Sequence, residues 1–351
     1  MVYGDSFALI WLNGTGGTAG GYASYRGSAF GTIGAPMGAG ASPPDARFGN
    51  GKSTMRTKQQ EETLVYFSQH AREWKDRAFS VSEDKVNITR QRNGFVLSVV
   101  HQRRATRSAL DVGCGTGDLV CDIARLGVEA TGVDFSQEMV DLARVRAEQE
   151  ALTNTHFYCS SIFDFDLAER RYDVVSAIGF IEYISLEELD RFLDLSRDAL
   201  NAGGSLVLGS RNRLFNLFSL NSFTVEEINT GMAPLLLREA TLLATKDSLT
   251  ALAEAEAVPL LEPRGAQTRT VVDVGIRYQF TPGQLAGMLR ARGFALKALY
   301  PVHVHGVPPS FKACHPATHT SISNLLQNYA HQHVSLVPYS SSFILHAQKE
   351  Q

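Results

Sequence analysis

The chain has 351 residues, 44% hydrophobic and 20% charged, with a formal net charge of -3, which leaves room for a sizeable core in one large or two smaller domains. That balance gives no global attraction to nucleic acid or an anionic membrane, so neither is expected as a partner. The 4 cysteines, Cys114, Cys121, Cys159 and Cys314, lack CxxC spacing; this argues against a zinc site and against a disulfide framework, suits a reducing, cytoplasmic setting, and no metal is expected.

Residues 2–12 are apolar but lack a basic start, which makes a poor signal peptide. Residues 13–54 are rich in Gly, Ala and Ser, a composition that buries too little apolar surface to offset ordering. Residues 1–55 therefore read as a disordered tail. Either a start site placed too early, with Met55 opening the patterned sequence, or a targeting or partner-binding tail accounts for it. Residues 56–108 read as an N-terminal helical lid. Leu64, Phe67, His70, Ala71 and Trp74 recur at steps of three and four within 63–79, and 93–102 is a second apolar helix. No run approaches the roughly 20 apolar residues of a membrane span.

From residue 108 strands and helices alternate. Strands are expected at 109–112, 129–133, 155–159, 172–178 and 205–209. Helices are expected at 118–125, at 136–150 behind the cap Ser136, and at 186–200 behind the cap Ser185. Strands separated by helices imply a parallel sheet with right-handed crossovers. Residues 212–280 read as a helical cap insertion. Thr281-Pro282 opens a helix ending near Gly293, 294–304 is a strand, 307–339 is a second insertion with a helix over 320–333, and 342–348 is the last strand.

The segment Leu110-Asp111-Val112-Gly113-Cys114-Gly115-Thr116-Gly117-Asp118 is a strand end, a glycine loop and a helix start. Such a loop brings backbone N–H groups against a ligand. Dinucleotide enzymes use one too, but Asp111 would repel a pyrophosphate and suits a cationic amino-acid group. The second strand ends in Gly132-Val133-Asp134, where an acid accepts ribose hydroxyls. Taken singly, Asp111 and Asp134 could each be a helix cap. Together, DVGCGTG and GVDFSQEMVDLAR resemble motifs I and II of class I S-adenosylmethionine-dependent methyltransferases, over about residues 60–211 and the terminal strands.

The resemblance implies an α/β, Rossmann-like doubly wound seven-stranded sheet, its last strand antiparallel, with helical cap insertions. Residues 109–211 would be the cofactor-binding core and 281–351 its C-terminal part. S-adenosylmethionine would lie on Asp111, Gly113, Cys114, Gly115 and Gly117, its ribose on Asp134, its adenine against Phe135 and Met139. Where the family often has Gly-Asp after the third strand, this chain has Ser160-Ser161 and Ile162. Adenine recognition would then fall to Ser161, backbone groups or Asp164. Ile178 begins the loop that the family places over the reactive methyl, continuing through Phe180, Glu182 and Tyr183.

Candidate bases are Glu182, Tyr183, His303 and His305, all after strands whose carboxyl ends face ligands in this architecture. Tyr66, His70, Phe180 and Phe218 are candidate acceptor contacts. The basic stretch from Arg72 to Arg107, Arg92 included, could bind an anionic acceptor or RNA; with no aromatic-rich RNA module beside it, it reads as a solvated helix face. The expected activity is in-line methyl transfer to a small-molecule O, N or C nucleophile. RNA or protein methylation, and a degenerate fold that only binds, are the rivals; a dinucleotide oxidoreductase would carry GxGxxG instead. A homodimer is left open.

Overall fold

A computed structural model describes residues 58–79, 86–103, 106–167, 170–260 and 277–350. The tail expected at 1–55 lies outside the described residues.

Seven strands form one sheet in the order β3-β2-β1-β4-β5-β7-β6. They are β1 (Ser108–Val112), β2 (Glu129–Asp134), β3 (Thr155–Cys159), β4 (Tyr172–Ile178), β5 (Leu200–Arg211), β6 (Phe294–Val304) and β7 (Ser340–Lys349). The first five are parallel, and β7 is antiparallel to both β5 and β6. Because side chains alternate across a strand, each strand feeds two cores. Leu110 and Val112, Val175, and Leu206 and Leu208 pack into one, with Phe192 and Leu193 of α5 (Leu186–Ala199) and Leu285 and Leu289 of α10 (Pro282–Arg290). Ala109, Val174 and Val207 face the other, with Phe95 and Val99 of α2 (Ile88–Gln102), Val120 of α3 (Asp118–Ala124) and Val140 and Ala143 of α4 (Gln137–Gln149). Burial on both faces explains why these strands read as continuous apolar runs.

Helix entries follow local chemistry. Ser136 caps α4, and Ser185 and Thr281 form capping boxes with Glu188 and Gln284 at the starts of α5 and α10. Strand order reverses between β1 and β4, so the crevice of this fold opens at the carboxyl ends of those strands. The N-terminal helix α1 (Lys58–Phe79) reaches that edge, where the Gln59 amide donates to the Tyr183 carbonyl at 3.0 Å.

After β5 the chain forms α6 (Phe215–Ser219), α7 (Ser222–Asn229), α8 (Ala233–Lys246) and α9 (Ala251–Glu254). A buried bidentate pair ties this insertion to the end of β5: Arg213 donates to the two Glu227 oxygens at 2.9 and 2.8 Å. The second insertion holds α11 (Pro309–Cys314), α12 (Pro316–Gln327) and a 3₁₀ turn, Val334–Tyr339. The helix expected over 320–333 thus starts four residues earlier and ends at Gln327; Pro316 suits its start, because a first turn has no intrahelical partner for the N–H that proline lacks. Among the described residues no helix is long and apolar enough to cross a membrane.

Candidate functional site

The glycine loop folds back on β2. Gly113 and Cys114 donate to the Val133 carbonyl at 2.8 and 3.2 Å, and Gly115 donates to Asp134 Oδ2 at 2.9 Å. The other Asp134 oxygen accepts from the Ser136 N–H at 2.9 Å, which couples the loop to the start of α4. Gly117 has φ 75°, and a Cβ there would lie 2.6 Å from Ala143 Cβ and 2.9 Å from the Phe157 ring. No other residue combines that backbone with that closeness. At Gly115 a Cβ would meet no atom within 4 Å; it would occupy ligand space, since Gly115 lines the cavity beside it.

That cavity has a volume of about 570 Å³, within the usual range for a small-molecule site. On one side it is lined by Asp111, Gly113, Cys114, Asp134, Phe135 and Met139. Ser161, Ile162 and Asp164 close the end beyond β3; the turn there is held by the Ser161 hydroxyl, which accepts from the Phe163 N–H at 3.3 Å. Ile178, Phe180, Glu182 and Tyr183 form the wall after β4. Gly117 lies behind the loop rather than on its lining.

Two buried carboxylates face the cofactor side. Burial pushes the Asp111 carboxyl up to about 7, the Ser176 hydroxyl opposes this by donating at 2.7 Å, and the charges of Asp134 and Asp118 add to it. Burial also raises Asp134, against the N–H donors of Ser136, Gly115 and Phe135. Each Asp134 oxygen keeps a second lone pair for a ligand hydroxyl.

The opposite wall carries both signs, Arg92, Arg191 and Arg277 with Glu182, Glu187 and Glu188. The Glu182 carboxylate is 1% exposed and accepts from Arg277 Nε and Nη2 at 3.1 and 3.0 Å and from the Arg211 N–H at 2.8 Å. Arg92 and Arg277 line the cavity itself. Burial lowers Arg92, and lowers Arg211 to about 10 with the charge of Arg277 adding to it. For Arg277 the attraction of Glu182 and Tyr183 outweighs burial and raises the pKa. Burial likewise pushes Tyr183 up to about 12, despite Arg277, whose guanidinium stands 5.2 Å from the ring centre. The sequence reading placed Arg92 on a solvated basic face, which its burial at the cavity corrects, and missed Arg277. Arg92 sits in an apolar helix, and Arg277 follows a segment without pattern, so only packing brings them together.

Several expected site residues stand elsewhere. His303, near the end of β6, and His305, just past it, lie outside the cavity, against His319 of α12. Tyr66 stacks on His70 at 4.3 Å, and their neighbour Phe67 is the ring that lines the cavity. Phe218 packs edge-on against Tyr339. Glu182 does reach the cavity, but its charge is taken by Arg277, which corrects its expected role as a free base.

Residues 109–204 match the family described as methyltransferase domain. That match and the sheet order support a class I S-adenosylmethionine-dependent methyltransferase domain over those residues. The chain is 31% identical over 119 residues to a ubiquinone biosynthesis O-methyltransferase of Nitrobacter winogradskyi, covering 34% of this chain and 44% of that protein. It is 28% identical over 159 residues to the protein of the same name from Coxiella burnetii, covering 45% of this chain and 64% of the relative. The chain therefore spans less than two thirds of either relative's length. The CcbJ methyltransferase of Streptomyces caelestis shares the fold, with a TM-score of 0.50 and 16% identity over 83% of this chain and 99% of the other.

Proposed function

We propose that the chain transfers a methyl group from S-adenosylmethionine to an oxygen of a small acceptor that carries an acidic group. The observation that carries this reading is one cavity with two faces: Asp111 and Asp134 beside the glycine loop, and Arg92 and Arg277 across from them. The residues present fit the cofactor. A buried carboxylate at Asp111 suits an ammonium, free lone pairs on Asp134 suit ribose hydroxyls, and Gly115 leaves space where any side chain would intrude. The same Asp111 disfavours a pyrophosphate. The relatives' names favour oxygen as the acceptor atom. The unpaired cysteines support a cytoplasmic setting. Neither nucleic acid nor a second copy is required.

When bound, S-adenosylmethionine supplies a methyl carbon already activated by its sulfonium. The chain's work is then orientation and exclusion of water, and orientation alone is worth roughly 7 to 11 kcal/mol. Phe180 and Phe67 provide an apolar wall, while Arg92 and Arg277 hold the acceptor's acid and favour the ionised form of its hydroxyl. Tyr183, with its pKa pushed up to about 12, keeps its proton and acts as a donor rather than a base.

The test pairs hydroxy-aromatic acids with their neutral methyl esters and follows S-adenosylhomocysteine release by mass spectrometry. The acids should be preferred by roughly tenfold or more in kcat/KM, one charge-assisted contact being worth at least about 1.5 kcal/mol. Arg92→Met should reduce that preference. Esters turned over as well as the acids would refute the acidic acceptor.

A further inference from the structure

Beyond β6 the chain gathers three histidines that the methyl-transfer reading does not use. His303 lies in β6, His305 just past its end, and His319 on α12. Their ring centres are 4.1, 4.6 and 5.3 Å apart, and they are 5%, 5% and 1% exposed. One nitrogen from each ring lies within 4.8 Å of the others, with His303 Nε2 and His319 Nε2 3.1 Å apart. Ligand nitrogens around a tetrahedral zinc, at Zn–N of about 2.0–2.1 Å, stand about 3.3 Å from one another. Small side-chain rotations close the gap.

The cluster is poorly satisfied as it stands. Among the described residues, both nitrogens of His305, Nδ1 of His319 and the hydroxyl of Ser323, one turn further along α12, are buried without a hydrogen bond. Buried polar groups are rarely left so. His303 also holds φ 55°, a conformation strained for a side-chain-bearing residue. Strain of this kind persists where the surroundings impose it, often at functional sites. One ring carries an orienting group on its outer side: Ser341 Oγ is 3.1 Å from His303 Nδ1. Metal-binding histidines are typically fixed in this way by the nitrogen that does not ligate.

We propose that His303, His305 and His319 bind one divalent transition metal of the zinc type, with a fourth position left for water. Burial keeps all three rings in the neutral form that ligates, His305 down at about 3, with the charge of Lys312 adding to the effect on each. The cysteine spacing was read against any zinc site; that reading weighed thiolate donors alone, and an imidazole set is a different donor chemistry. The site is independent of the methyl-transfer reading.

The full chain, stripped with chelator, is titrated with zinc chloride by calorimetry against a competing chelator, and with cobalt chloride by visible absorption. One equivalent of zinc and the ligand-field bands of tetrahedral cobalt are expected. His305→Asn and His319→Asn should each weaken zinc by at least about 100-fold, more than loss of an orienting partner usually costs. His156→Asn, at an exposed histidine beside Glu129, should leave it unchanged. Absence of stoichiometric zinc in folded protein, a hydrated-cobalt spectrum, or binding that survives both cluster substitutions would overturn the proposal. The cobalt spectrum of the unsubstituted chain decides the matter even if the variants misfold.

Discussion

Asp111→Asn isolates the charge that the account assigns to the cofactor's amino-acid end. Asparagine keeps an oxygen to accept from the Ser176 hydroxyl, 2.7 Å from Asp111 Oδ1, so the local fold should persist. A hydrogen bond to a charged group is worth about 1.5–3 kcal/mol, or roughly 10- to 150-fold in Kd. The pH dependence supplies the sign. With its carboxyl pushed up to about 7, Asp111 is ionised above that pH and attracts an ammonium; below it the proton must leave first. Cofactor affinity in the parent should therefore fall as pH falls, by up to about tenfold per unit. The Asn variant should bind weakly and with little slope over about pH 5.5 to 7.5. Calorimetric titration with S-adenosylmethionine across that range reads both effects. A variant within twofold of the parent near pH 7.5, or a slope that survives the substitution, would refute the assignment.

Gly117→Ala combines positive φ with a Cβ 2.6 Å from Ala143 Cβ; the sum of strain and overpacking is about 2–5 kcal/mol in urea unfolding, and a loss under 1 kcal/mol would contradict the packing. Glu182→Gln removes the carboxylate that neutralises Arg277 in a site 1% exposed on the Glu182 side chain, and should cost about 3–5 kcal/mol. Glu227→Ala should cost a similar amount, about 3–5 kcal/mol, by stranding the buried Arg213. Arg213→Met with Glu227→Leu should recover most of that stability, and failure to do so would mean that the pair does more than satisfy itself.

The cofactor half of the site was legible because it is local. Asp111, the glycines and Asp134 lie on consecutive elements, and each signal is a residue type that only one backbone geometry favours. The strands were legible for the same reason, as short apolar runs buried on both faces. The acceptor half was not. Arg92, Arg277 and Glu182 come from three distant segments, and nothing in the sequence around Arg277 marks it as a partner for a residue 95 positions away. His303 and His305 were read as candidate bases, and their rings meet each other rather than the cavity. Their distance from the cavity follows from the position of β6 at the sheet edge, with β7 inserted between it and β5. His319 was hidden by a helix start placed four residues late; Pro316 was the available signal.

The most direct test of the central claim is calorimetry of the purified chain with S-adenosylmethionine and, separately, NADH, repeated on Asp134→Ala. The account predicts saturable one-to-one binding of S-adenosylmethionine, weakened by the substitution, and none of NADH. Folded protein that ignores S-adenosylmethionine, or that binds NADH in its place, would contradict it.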